Sequence, residues 1–408
     1  MRLTRVALIV ALMLVAACSE ARATPRDPAG RHFLSLAERG VHQSWAWWDA
    51  RRRWYRERLH APGKYPLATL WGVVPQFEAL AAVAIIDPSA ANRAALRRFA
   101  RGAERYWNPA LRPVPGYAAY PGERNPRART WFDDNGWWGL AFLDAYRARR
   151  GRRYLDDAGR AFRFIERAGW DRRRGGIWWN TDHTFKAGES LASGTLLAAR
   201  LYRLTRRPGY LRAARRFIAW GQLHMWNAVD ALYTRSDRDS LTLPYIESPM
   251  IVADRTICRV TGRRAWCARA EQLAERALVR FTTMVDMGPQ FDAVYLRWML
   301  ALYAEDRDPR WYWLARANAE RAERNACDKR PRCTRAWNGS SAILQAAPGM
   351  LQTHAATISV FAWLATVPSA PPVASAAVRA APPPGSPPSP VPLRSARACS
   401  GGISPVCH

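Results

Sequence analysis

Lysine is almost missing from this 408-residue chain: only Lys64, Lys186 and Lys329 occur, and every other cation is arginine. Acid is also scarce, 33 carboxylate side chains against 62 basic ones, giving a formal charge of +29. Such an imbalance raises nucleic acid as a partner, because clustered cations bind phosphate by releasing counterions. The arginines, however, are scattered along helical stretches such as RRYLDDAGRAFRFIERAG, and zinc-finger, RNA-recognition and basic-zipper patterns are all lacking. The expectation is no nucleic-acid partner, with arginine serving as the preferred residue of solvated faces.

Past the N-terminus the chain has no apolar run of the ~18 residues that a membrane helix needs. The N-terminus itself reads MRLTRVALIVALMLVAACSEARA, with Arg2 and Arg5 ahead of an apolar core from Val6 to Ala17 that is too short for a stable anchor. Residues 1–23 are therefore read as an export signal. Two exits compete: VAAC, which suits a lipoprotein signal ending before Cys18, and ARA, which suits ordinary cleavage at Ala23. Lipid attachment at Cys18 is the preferred reading, with the protein exported to the periplasm or cell envelope. Histidine and cysteine number seven each. Removing Cys18 leaves three close pairs, Cys258 with Cys267, Cys327 with Cys333 and Cys399 with Cys407, which suit disulfides in an oxidising compartment. Their spacings are not CxxC and no histidines gather beside them, so no metal is expected. No organic cofactor is implied either.

What is abundant is apolar surface, 49% of residues, including 20 tryptophans, enough for one large core or two modest ones. From about Val367 the chain turns to Pro, Ala and Ser and cannot bury a core, so 367–408 is expected to be a disordered tail and 24–366 the folded domain.

An internal repeat sets the architecture. Ala145–Leu155, Leu201–Leu211, Ile257–Cys267 and Leu302–Tyr312 align, and an aromatic at Tyr154, Tyr210, Trp266 and Trp311 follows Tyr146, Tyr202, Cys258 and Tyr303 by eight residues each time. The first three copies are spaced by 56 residues. Each copy is a helical hairpin: an apolar helix, a tight turn, then a charged amphipathic helix. Extension along the chain predicts apolar helices near 66–86, 133–149, 188–205, 245–261, 290–305 and 342–365. It predicts Arg-rich ones near 31–59, 89–107, 152–168, 208–225, 263–284 and 309–325. Helices apolar all round belong inside and one-sided helices outside, so the fold class is all-α, an (α/α)6 barrel of six inner and six outer helices. The outer-to-inner connections are long and aromatic, which places function at the N-terminal ends of the inner helices.

At that end stands RTWFDDNGWWGLAFLDAY. One aspartate would suffice to cap a helix; two adjacent ones, Asp133 and Asp134, repel, which pushes one pKa up while the other stays low. That division supplies a proton donor and an ionised carboxylate, as glycoside hydrolysis requires. Glu189, Glu247 and Asp292 fall near the starts of other inner helices and are expected to make the pit acidic. Trp137, Trp138, Trp178 and Trp179 are candidate sugar-contacting aromatics, with core packing as the alternative role. Lys186 and Tyr245 complete the candidate binding residues.

Over roughly Val41 to Ala365 the chain resembles glycoside hydrolase family 76, the endo-α-1,6-mannanases. The matching pieces are WFDDNGWWGLAFLDAYRARRGRRYL, GGIWWNTDHTFK, AARLYRLT, VYLRWMLALY and LQTHAATISVFAWLA. The resemblance implies an (α/α)6 barrel and a retaining mechanism, with Asp133 as nucleophile and Asp134 as acid/base. The chain differs from the family pattern at AGESLASG, where Glu189 is kept without the amide before it, at Tyr245-Ile246-Glu247-Ser248, and at Phe291-Asp292-Ala293. The expected partner is a polysaccharide or oligosaccharide, α-mannan or a related α-linked glycan, handled by a monomer. The alternatives are a cell-envelope transglycosylase of the same fold and a glycan-binding lipoprotein without turnover.

Overall fold

The computed structural model describes residues 27–59, 65–281, 283–340 and 349–372. The N-terminal segment with Cys18, the Cys399/Cys407 pair and most of the Pro/Ala-rich tail lie outside the described residues.

Twelve α-helices alternate between two layers among the described residues. The outer ones are α1 (Pro28–Gln43), α3 (Ala90–Ala103), α5 (Arg152–Phe164), α7 (Pro208–His224), α9 (Arg264–Arg280) and α11 (Pro309–Ala326). The inner ones are α2 (Leu70–Ile86), α4 (Phe132–Arg149), α6 (Gly188–Thr205), α8 (Pro244–Thr261), α10 (Pro289–Asp306) and α12 (Leu351–Ala365). Each inner helix packs on the next, and α12 packs on α2, so the inner ring closes. Nearly every residue of α2 and α12 is buried, whereas α3 and α5 bury a single stripe, as the predicted layering requires. The barrel is the fold read from the repeat. The expected outer helix 31–59 is the main difference: α1 ends at Gln43, and a short β1–β2 ladder (Trp48–Asp49 with Trp54–Tyr55) follows it.

The repeated turn has a local cause. Four inner helices end on a residue in the left-handed region: Arg150, Arg206, Gly262 and Arg307, with φ of 54°, 58°, 69° and 65°. Each donates its N–H to the carbonyl of Tyr146, Tyr202, Cys258 or Tyr303, the very positions that mark the repeat. Three of the four are arginines, for which that backbone is unfavourable. Their guanidinium groups lie over the ring four residues back, at 5.7 Å for Arg150 on Tyr146, 6.0 Å for Arg206 on Tyr202 and 5.7 Å for Arg307 on Tyr303. The fourth turn is bridged instead by the Cys258–Cys267 disulfide.

A second repeat, which the sequence reading did not find, builds the opposite end. After five outer helices the chain runs Trp48-Asp49, Trp107-Asn108, Trp170-Asp171, Trp226-Asn227 and Cys327-Asp328, and each first residue pairs with a returning strand at Tyr55, Tyr117, Ile177, Tyr233 or Cys333. The Asp or Asn then accepts a backbone N–H two or three residues on, from Arg52, Ala110, Arg173, Val229 or Arg330, at 2.8–3.0 Å. In the last copy the Cys327–Cys333 disulfide stands where three of the others pair Trp with Tyr and one pairs Trp170 with Ile177. These turns make β3–β4 (Trp107–Asn108, Gly116–Tyr117) and β5–β6–β7 (Trp226–Asn227, Leu232–Ser236, Asp239–Thr242), small sheets on an otherwise helical body.

Residues 367–372, assigned to the tail by composition, pack on the barrel. Ser369 donates its hydroxyl to Asp27 at 2.8 Å, and Trp313 donates its indole N–H to the Pro371 carbonyl at 2.9 Å. Val367 and Ala370 are buried there.

Candidate active site

Helix α4 begins without a side-chain cap, and its first turn contains Asp133 and Asp134. It is fixed instead by its neighbours: Phe132 donates its N–H to the Trp179 carbonyl at 3.0 Å, and Trp131 bridges to Asn180. Asn135, the residue after the aspartate pair, clamps the other side. Its amide oxygen accepts the Tyr117 N–H at 2.9 Å, and its NH2 donates to the Tyr117 and Trp131 carbonyls, both at 2.9 Å. Gly136 then lets α6 approach, since a Cβ there would stand 2.1 Å from the Ser193 hydroxyl oxygen. The DDNG segment thus places two carboxylates on a helix start gripped by β4 on one side and by the Gly-Gly-Ile-Trp-Trp loop on the other.

Helix register decides what surrounds them. The second residues of the inner helices are Trp71, Asp133, Glu189, Tyr245, Gln290 and Gln352. Tyr245 donates its hydroxyl to Glu189 at 3.3 Å, and Asp133 lies near enough to both that Glu189 raises the Asp133 pKa and Asp133 raises that of Tyr245. Asp134 also lies near Tyr120, whose ring stacks on Tyr65 at 3.8 Å. Asp133 and Glu189 keep part of their surface exposed, and each has a carboxylate oxygen, Oδ1 and Oε2, without a protein partner among the described residues.

The electrostatics differ from the expected division into one high and one low pKa. Burial pushes Asp133 well above the usual carboxylate range, and repulsion from Asp134 and then Glu189 pushes it further. Burial alone raises Asp134 to about 7. Glu189 is also raised, mainly by burial. Because desolvation acts on every member, all three carboxyls hold their protons more tightly than free ones and titrate as a coupled unit.

Glu247 and Asp292, expected in the same pit, belong elsewhere. They are the fourth residues of α8 and α10, two positions and hence ~200° round from Tyr245 and Gln290. Glu247 is fully buried, with Arg269 and Asp230 as its charged neighbours, and its carboxyl is raised by that burial. Asp292 accepts the Met287 and Gly288 N–H groups at 3.2 and 3.1 Å and closes its own loop.

The tryptophans divide likewise. Trp138 is fully buried among Phe77, Tyr106, Tyr117 and Phe142 and is a core residue. Trp178 stacks on His183 at 5.2 Å and carries the Lys186 ammonium over its ring at 3.1 Å. That ammonium donates to Asp171 at 2.6 Å, so Lys186 pins the loop turn rather than standing free for a sugar. Trp179 stacks on Phe185 and meets Trp131 edge-on. Trp137 joins an aromatic arc that the sequence reading missed in part: Trp137 to Trp71 at 6.3 Å, Trp71 to Phe291 at 6.3 Å, and Phe291 to Tyr245 at 4.9 Å. Trp71 and Phe291 stay partly exposed along it. Among the described residues no three His, Cys, Asp or Glu side chains are arranged to hold a metal ion.

Comparison with known proteins agrees with this fold. No curated protein matches the chain by sequence. Among solved structures, a family 76 glycoside hydrolase from a bovine Bacteroides thetaiotaomicron strain superposes with a TM-score of 0.73 at 19% identity, over 82% of this chain and 77% of that one. The α-1,6-mannanase of a Salegentibacter species superposes with a TM-score of 0.67 at 16% identity, over 82% of this chain and 99% of that one. A variant of that mannanase with two consecutive aspartates replaced by asparagine is described as inactive and was solved with α-1,6-mannotriose. The sequence profile of glycosyl hydrolase family 76 matches residues 116–376, a span that contains the aspartate pair, Asn135, Glu189 and Tyr245, and the chain belongs to that family.

Proposed function

We propose that the protein is an exported glycoside hydrolase that cleaves α-1,6-linked mannan, or a closely related α-linked glycan, with retention of configuration. The observation that carries this is the juxtaposition of Asp133 and Asp134 on one helix start, beside Glu189, Tyr245 and the Trp71–Phe291 arc. In this reading a mannosyl unit lies on the aromatic arc, whose faces pack against its C–H groups. The coupled pair reacts in its singly protonated form with the shared proton on Asp134, which donates it to the glycosidic oxygen while the Asp133 carboxylate attacks the anomeric carbon; the bond to the leaving sugar breaks and a glycosyl ester forms. Asp134, now ionised, takes a proton from water, the water oxygen attacks the same carbon, and Asp133 is released. Glu189 and Tyr245 hold hydroxyls of the sugar at Asp133. Export, with lipid attachment at Cys18, rests on the N-terminal segment alone.

The stereochemistry is the test. Proton NMR of an α-1,6-mannooligosaccharide digest is expected to show the α-anomer of the new reducing end before mutarotation. Initial release of the β-anomer would overturn the assignment of Asp133 as a nucleophile.

A further inference from the structure

The carboxylate pit has a second side. Helix α4 packs between α2 and α6, and Glu189 stands at the start of α6. On the α2 side the fold gathers three residues from two loops: Glu57, Tyr65 and Tyr120. Leu351, at the start of α12, donates its N–H to the Glu57 carbonyl at 2.9 Å. The Glu57 Oε1 lies 4.0 Å from where a Cβ on Gly72 would stand, in the first turn of α2. Leu70 opens α2 by donating its N–H to the Ala119 carbonyl at 2.8 Å, which fixes Tyr120 beside the same helix start. The Tyr120 ring stacks on Tyr65, and both rings stay partly exposed.

The protein does not engage the Glu57 side chain. It is half-buried, yet among the described residues no group hydrogen-bonds its carboxylate and no cation lies within ion-pair distance of it. Both oxygens are open to solvent, so a ligand in the pit can reach them. A carboxylate accepts about four hydrogen bonds, and the protein supplies none of them here. Tyr120 ties this group to the cleavage point. Burial and Tyr65 push the Tyr120 phenol above its ordinary range, and the charges of Glu57 and then Asp134 push it further, so Tyr120 neighbours both carboxyls. In the proposed reaction Asp134 protonates the glycosidic oxygen, so the surroundings of Asp134 are those of the leaving sugar. Glu189 and Tyr245 serve the sugar held at Asp133 and are not available to it.

We propose that Glu57 binds the leaving sugar: its carboxylate oxygens accept neighbouring hydroxyls of that sugar, whose C–H face packs on the Tyr65–Tyr120 pair. This rests on the hydrolase reading of the pit and adds a substrate class to it. The chain that fits carries free adjacent hydroxyls on the unit beyond the cleaved bond, whereas an apolar aglycone leaves the carboxylate without donors.

Two substrates, each given to the full-length protein, separate this role from a structural one. α-1,6-Mannotetraose has a sugar as its leaving group. In α-1,6-mannobiosyl fluoride the C–F bond breaks, fluoride departs without a donated proton, and Asp133 forms the same kind of ester. Glu57→Ala is expected to lower kcat/KM on mannotetraose by about tenfold or more, and to leave mannobiosyl fluoride within about twofold of wild type. Glu57→Gln keeps the side-chain volume and is expected to split the two substrates in the same direction, so it serves should circular dichroism show Glu57→Ala unfolded. Equal losses on both substrates, or no loss on mannotetraose, overturn the proposal and leave the hydrolase reading intact. A wild type that turns over neither substrate defeats that reading, and the leaving-sugar site with it.

Discussion

Asp134, raised to about 7 by burial from an ordinary value of 3.8, ties activity and stability to the same proton. A catalytic acid must enter the reaction protonated, so kcat/KM is expected to fall as pH rises through about 7, as a pH–rate profile would show. The low-pH limb belongs to the coupled cluster of Asp133, Asp134 and Glu189, whose upward shifts bring the two limbs close together. For stability the sign follows from the folded value lying above the unfolded one: the contribution is complete below the unfolded pKa and is lost as pH rises through the folded one. Asp134→Asn should therefore melt with the wild type at pH 4 and above it at pH 8. Full linkage would give about 4 kcal/mol, and even about 1 kcal/mol raises Tm by ~2 °C; equal melting at both pH values would contradict the burial argument. Asn135 is the positioning counterpart. Asn135→Ala removes three hydrogen bonds and leaves buried Tyr117 backbone groups unpaired, so a loss of ~2–3 kcal/mol in chemical denaturation is expected, with kcat reduced more than KM is raised. The aspartate doublet was legible in the sequence because adjacency is itself the signal. Asn135 was not, because its role depends on a strand that only the folded loop creates. Glu247 and Asp292 were placed in the pit because proximity to a helix start was read without its register.

At the scale of elements, the helical hairpin was legible and the strand ladders were not. The hairpins repeat a period of 56 residues with apolar and amphipathic halves, a pattern that survives in one dimension. The ladders carry a signal of only two residues, Trp or Cys followed by Asp or Asn, at intervals varied by intervening loops. The left-handed caps make a distinction that propensity alone would miss. Arg206→Ala loses the contact with Tyr202 and keeps the unfavourable backbone, and is expected to cost about 1 kcal/mol; Arg206→Gly relieves the backbone as it loses the contact, and should lie within about 0.5 kcal/mol of wild type. Denaturant midpoints of the two variants, compared at equal m-value, check the ordering.

Across the whole molecule, arginine excess and acid scarcity resolve into a polarity between the two ends of one barrel. Buried carboxylates gather where the inner helices begin, and guanidinium groups gather where they end. Between them Arg297 joins Glu78 of α2 and Asp144 of α4 from its place on α10, linking three inner helices through buried charge. Removing that arginine strands Glu78 and leaves Asp144 with Arg200 alone, so Arg297→Ala is expected to lose ~3–5 kcal/mol or fail to fold, far more than loss of the exposed pair between Arg152 and Asp156. Composition displayed the excess charge but not its segregation, because the participants are far apart in sequence. The central claim concerns the carboxylate end, and turnover of α-1,6-mannotetraose by wild type, Asp133→Asn and Asp134→Asn tests it most directly. The account predicts hydrolysis by the wild type and a loss of at least ~10³-fold in kcat for each variant. Equal turnover by wild type and Asp133→Asn, or mannotetraose binding by a wild type that never cleaves it, would contradict it.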